Sequence, residues 1–226
     1  LQDIEAIFDF SEAFESLRTE DERHEALVRH ILKKVRQLTN SGQSFPEKES
    51  HELFALKGSL STHPLVRYRY GEVLLEVGEA NAALDALSEI DIMGALVHPV
   101  SFLKAVVLIR LEKLQEALDI LQAMIGTGWR NYDLFMLAAT VKAQSSDLRG
   151  AISMANLAVY ENKDEQPEPF VLMAFCFEKN GEKNRMLECF SRVEKMVGSK
   201  GLEQHLGKLL ESYGEMYRQV KGMMDS

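Results

Sequence analysis

A chain of 226 residues, 46% hydrophobic and 27% charged, has the balance of a soluble globular protein and can bury a sizeable core in one or two domains. Its net charge of -9 argues against non-specific nucleic-acid binding, because phosphate contacts need surplus Lys and Arg. Cys176 and Cys189 are too few for a disulfide framework and lack metal-ligand spacing, which fits a reducing, cytoplasmic setting. No apolar run approaches the length needed to span a bilayer. The first residue is Leu1 rather than Met, which points to a fragment or a processed product with a signal peptide or further domain upstream left open.

In chain order the spacing is helical throughout. Ile4, Ile7, Phe8, Phe14 and Leu17 share one face of a predicted helix. Thr19 and Glu22 make a capping-box pattern opening a second helix to about Leu38, with Leu27, Ile31, Val35 and Leu38 as its stripe. Asn40 to Ser44 is a break, and Pro46 suits the first position of a helix through Leu56. From Pro64 four helix pairs follow: Pro64–Val77 with Ala80–Ile90, Val100–Leu111 with Leu114–Ile125, Tyr132–Gln144 with Leu148–Glu161, and Pro169–Lys179 with Lys183–Val197. Gly198 to Gly201 separates a final amphipathic helix, Leu202 to about Val220, which would cap the open end. The predicted division is an amino-terminal helical region (1–60), four repeats (61–198) and a capping helix with tail (199–226).

The pairs are in register. Gly71, Ala105, Ala139 and Ala174 form a column spaced at 34, 34 and 35 residues. Ala83, Ala117, Ala151 and Met186 form a second, and Leu87, Leu121, Ala155 and Phe190 a third. The turn positions Gly78, Glu112, Ser146 and Gly181 form a fourth. A fixed period in this range signals stacked supersecondary units, an all-α array of helix–turn–helix repeats. Small residues recur because two helices approach closely only where one faces the other.

The stretch Phe102 to Ile125, FLKAVVLIRLEKLQEALDILQAMI, resembles a tetratricopeptide repeat through Ala105, Leu108, Ala117, Leu121 and Met124. Tyr70, Gly71, Leu74, Gly78, Ala83, Leu87 and Ile90 carry the likeness in the first unit, Ala139, Ala151, Ala155 and Ala158 in the third. Met173, Ala174, Phe177, Gly181, Phe190 and Val193 carry it in the fourth. Departures are Arg67 and Ser101 at the early aromatic position, Lys142 at a large apolar position and Met186 at a small one. The resemblance implies an α-solenoid whose first helices line a ligand groove. It places there Leu65, Tyr68, Glu72 and Leu75, then Phe102, Val106, Ile109 and Arg110, then Met136, Thr140 and Ala143, and finally Val171, Phe175 and Glu178. The basic and Asn residues with which some members clamp a peptide carboxylate are replaced here by Tyr68/Glu72 and Phe102/Val106.

Catalytic and metal chemistry has no carrier in the sequence. The six histidines make no HExxH and no Cys pairing, and Gly126-Thr127-Gly128 lacks the Lys-Ser/Thr ending of a phosphate loop. No nucleophile elbow or singled-out carboxylate pair is present, so no enzyme, metal or cofactor is expected. The residues from Gly71 to Leu103 include no Lys or Arg but carry Glu72, Glu76, Glu79, Asp85, Glu89 and Asp91, a solvated face or a docking patch for basic flanks.

An apolar groove is either filled by the amino-terminal helices or a second copy of the chain, or open to a partner's amphipathic helix or apolar segment. The first functional reading is a non-catalytic scaffold or adaptor for a protein or peptide partner. The alternatives are a chaperone shielding a client's hydrophobic segment, as small acidic tetratricopeptide proteins of secretion systems do, and the regulatory arm of a larger enzyme.

Overall fold

The computed structural model describes residues 7–43, 46, 53, 55–91, 94–161 and 166–209, with side chains described up to residue 198. Among these residues every regular element is helical. The chain divides into two compact units, residues 1–127 and 128–226.

In the first unit α1 (Ser11–Glu15) and α2 (Thr19–Asn40) precede two helix pairs. These are α3 (Pro64–Glu76) with α4 (Ala80–Ser88), and α5 (Val97–Arg110) with α6 (Leu114–Gly126). A short 3-10 turn, Gly94–Leu96, leads into α5. Helix α2 packs on α3, α3 on α4, α4 on α5 and α5 on α6, and α3 also touches α5. In the second unit α7 (Tyr132–Gln144), α8 (Leu148–Glu161), α9 (Glu168–Lys179) and α10 (Lys183–Leu209) pack in sequence, with α7 also against α9. Gly198, at φ 69, interrupts α10 where the sequence predicts a separate last helix. The part of that helix beyond Leu209 lies outside the described residues, as does most of the one expected from Pro46.

The columns account for the packing. Ala105, Ala139, Ala174, Ala83, Ala117 and Ala151 are all fully buried, as are Leu87, Leu121 and Ala155. A Cβ built on Gly71 would lie 2.8 Å from Leu87 Cδ2, so the glycine permits the close approach of α3 and α4. The turn column is a column of backbone conformation: Gly78, Glu112, Ser146 and Gly181 have φ of 91, 59, 64 and 75. Each closes its helix with the same two bonds, such as Gly78 N–H to Leu75 O and Glu79 N–H to Leu74 O. The pair recurs at Glu112/Lys113, Ser146/Asp147 and Gly181/Glu182, a Schellman termination repeated four times. Lys142, at an apolar position of the repeat, buries its stem and holds Asp147 Oδ2 at 2.8 Å. Asp147 in turn accepts from Gly150 N–H at 2.9 Å in the first turn of α8.

Three amino-terminal expectations need correction. Helix α1 covers only Ser11–Glu15; Phe8 and Phe10 lie in the non-helical segment before it. The N-cap of α2 is Arg18, whose N–H donates to Oδ2 of Asp21 in the first turn at 3.1 Å, so the Thr19/Glu22 pair is one residue off. The buried stripe of α2 is Val28, Leu32 and Val35, while Leu27 is exposed. Both stripes satisfy helical spacing, and what α2 packs against decides between them.

Candidate interaction surface

The expected groove residues fall into two groups. In the first unit Leu65, Tyr68, Glu72, Leu75, Phe102 and Val106 are buried, Ile109 is half-buried and Arg110 exposed. The segment that holds Phe8 and Phe10 covers part of this face. The Phe8 ring meets Phe102 edge-on at 5.7 Å, and the Phe10 ring lies 5.4 Å from Tyr68 and 4.7 Å from the Arg69 guanidinium. Of the two alternatives for the groove, Phe8 and Phe10 favour the filled one in the first unit: burying two phenylalanines on an apolar wall is favoured over leaving both in water.

Beneath this segment lies a buried ionic network. Arg69 Nη1 meets Glu72 Oε2 at 2.7 Å, and Arg69 Nε lies 3.7 Å from Glu25 Oε1. Glu25 is held by Arg29 at 2.7 Å, while Arg36 lies 3.8 Å from Glu72 and 3.5 Å from Glu76. Glu89 pairs with Lys57 at 2.8 Å, which together with its hydrogen bond holds its carboxyl below the usual range. Half of the acidic run is thus neutralised within the first unit. The sequence does not single out Arg69: helix α3 also carries Arg67, and only the packing separates the buried Arg69 from the half-buried Arg67, which donates to Lys57 O and Leu60 O.

A cleft of about 630 Å³ in the first unit gathers Ser16, Arg18, Asp21, His24, Ser61 and His63. Its polar atoms serve the fold. His63 Nδ1 accepts from Leu65 N–H at 3.2 Å, which caps α3. With the proton on its Nε2, the ring donates to Ser16 Oγ at 3.1 Å, and Ser16 donates to Ala13 O at 2.8 Å. His24 Nδ1 accepts from Ser61 N–H at 3.1 Å, and Asp21 accepts from the Ser61 hydroxyl, which holds its carboxyl below the usual range. A histidine donating to a serine is not a base for it, so the pair is not an activated nucleophile. Burial pushes the Cys176 and Cys189 thiols up to about 11, away from the reactive thiolate. No group of three metal-ligating side chains occurs among the described residues, and no described helix is long and apolar enough to cross a membrane.

In the second unit the corresponding face is composed differently. Met136, Thr140 and Ala143 on α7 and Phe175 on α9 are half-buried, and Val171 is buried at the margin. Lys179 Nζ lies 5.7 Å from the Phe175 ring centroid. Asp133 and Glu168 stand in the first turns of α7 and α9, Glu178 near the end of α9. Tyr132 donates to Glu168 Oε2 at 3.4 Å, tying the two helix starts together.

This helix-pair geometry matches solved structures of MamA. The structure titled "MamA 41-end from Desulfovibrio magneticus RS-1" aligns over 76% of this chain and 94% of its own, at 18% identity and a TM-score of 0.57. A second MamA structure aligns over 83% of this chain and 96% of its own, at 14% identity and a TM-score of 0.58. The fold is tetratricopeptide-like. At these identities the likeness speaks for architecture alone. No family model matches the chain, and no curated protein matches it.

Proposed function

We propose that this protein is a non-catalytic interaction scaffold that holds a partner segment on the α7/α9 face of its second unit. The observation that carries the reading is the contrast between the units: the first-unit face is covered by Phe8 and Phe10, while Met136, Thr140 and Phe175 remain half-exposed on the second. Half-exposed apolar side chains along one helix face suit a partner's apolar or amphipathic segment. The likeness to helical-repeat proteins of the MamA type supports an interaction role, and a cytoplasmic setting agrees with the two buried thiols.

The test compares affinity capture by the parent chain and by Phe175→Glu and Met136→Glu variants with matched helicity and melting temperature. A partner lost with both variants supports the reading. A partner retained by both places binding elsewhere and overturns it.

A further inference from the structure

The second-unit face carries more than apolar surface. Along α9 the carboxylates of Glu168 and Glu178 stand ten residues apart, about 15 Å at the helical rise. Between them lie Val171 and Phe175, and Met136 and Thr140 occupy the matching positions of α7. Asp133 sits beside the Glu168 end, one repeat earlier. The face therefore has an apolar middle with carboxylates at both ends.

Two of these carboxylates are partly buried. Glu178 Oε2 is buried and makes no hydrogen bond with the described residues. Burial raises the Asp133 carboxyl above the usual range, opposed only by its own backbone N–H. A half-buried carboxylate without a donor has lost water and gained little in exchange. Two described cations of this unit serve other groups: Lys142 holds Asp147, and Arg185 holds Glu182 at 3.0 Å. Lys179, the cation on this face, lies over Phe175.

We infer that the segment docking on this face is a basic amphipathic helix, with a Lys or Arg at each end of an apolar stripe. Residues about eleven apart on a helix are three turns apart and share one face, a separation of about 16 Å that spans the two carboxylate ends. One cation meets Glu178 at its unsatisfied oxygen, the other the Asp133/Glu168 end, and apolar residues one and two turns inside cover Phe175 and Met136. A guanidinium suits Glu178 best, because it brings several N–H donors to a carboxylate that has lost water. The inference rests on the reading of this face as the docking surface and adds the chemistry of what docks there.

The probe is a fluorescein-labelled, stapled helical peptide with arginines about eleven residues apart and leucines one and two turns between them. Its control replaces both arginines with citrulline, which keeps the shape and removes the charge. Anisotropy with the full chain is expected to give about tenfold weaker binding for the citrulline peptide, a gap that narrows in Glu178→Gln and with rising salt. Equal affinity for both peptides, lost in Phe175→Ala, overturns the charge inference and leaves the docking face standing. Binding of the arginine peptide unchanged by both Phe175→Ala and Glu178→Gln overturns both. No binding of the arginine peptide overturns the inference, as does sedimentation showing self-association that Phe175→Glu abolishes, since a second copy would then cover the face.

Discussion

The Phe8 ring meets the Phe102 ring edge-on at 5.7 Å, and Phe102 is left only 2% exposed. In the family that the repeat pattern resembles, that position faces a ligand; here it faces the same chain. Phe102→Glu therefore buries an unpaired carboxylate and costs about 3 kcal/mol or more. The measurement is chemical denaturation of the full chain. A variant as stable as the parent would show that the amino-terminal segment leaves this face in solution.

Arg69 ties the same face together by electrostatics, between Glu72 at 2.7 Å and the Phe10 ring at 4.7 Å. Arg69→Ala leaves Glu72 and Glu25 buried without it and is expected to cost about 3–5 kcal/mol. Replacing Arg69 and Glu72 together by Met and Leu should recover much of that loss, since a buried pair contributes little over well-packed apolar residues. If the double variant is no better than the single, the network has a role beyond its own pairing.

The small-residue columns give a sharper test of alignment. Ala117 is fully buried on α6, and an arginine there has neither space nor partner, so Ala117→Arg costs about 3 kcal/mol or more. Gly71→Ala is a smaller insult of about 1–3 kcal/mol, because Leu87 must move to admit one methyl. Thermal melts of the two should rank in that order.

The turn column runs the other way. Glu112 and Ser146 hold φ of 59 and 64, which favour glycine. Glu112→Gly and Ser146→Gly are each expected to stabilise by about 0.5–1 kcal/mol, relief of strain outweighing added chain entropy. A loss of stability in both would mean the side chains contribute contacts that outweigh the strain.

Much of the fold was legible because its determinants are local and repeated. The period fixed Gly71, Ala105, Ala117 and the four turns, and each is explained by one helix crossing or one helix end. The amino-terminal region was harder to read, since nothing repeats there. Leu27 and Val28 fit helical spacing equally well, and only packing on α3 selects Val28. The occupied groove was open to sequence reasoning only as one of two alternatives, because Phe8 and Phe102 lie far apart in the chain and no local pattern links them. Lys142 looked like a fault in the repeat; its pairing with Asp147 became visible only once the turn brought them together.

Two aspartates of the second unit should respond to pH with opposite signs. Burial raises the Asp133 carboxyl, so its ionisation opposes folding at neutral pH. That penalty is relieved as pH falls through the raised folded value and is gone below the unfolded value of about 3.9. Asp147 is lowered, first by its hydrogen bond from Lys142 and then by Gly150 N–H. Its contribution is present above the unfolded value and is lost as pH falls through the depressed one. Asp133→Asn should therefore raise the melting temperature at pH 7 and match the parent near pH 3. Asp147→Asn should lower it at pH 7, and its deficit should shrink in acid. Melts of both variants at the two pH values decide the matter: an Asp133→Asn protein less stable than the parent at pH 7 would mean that contacts of the carboxylate in the folded protein outweigh the cost of its burial.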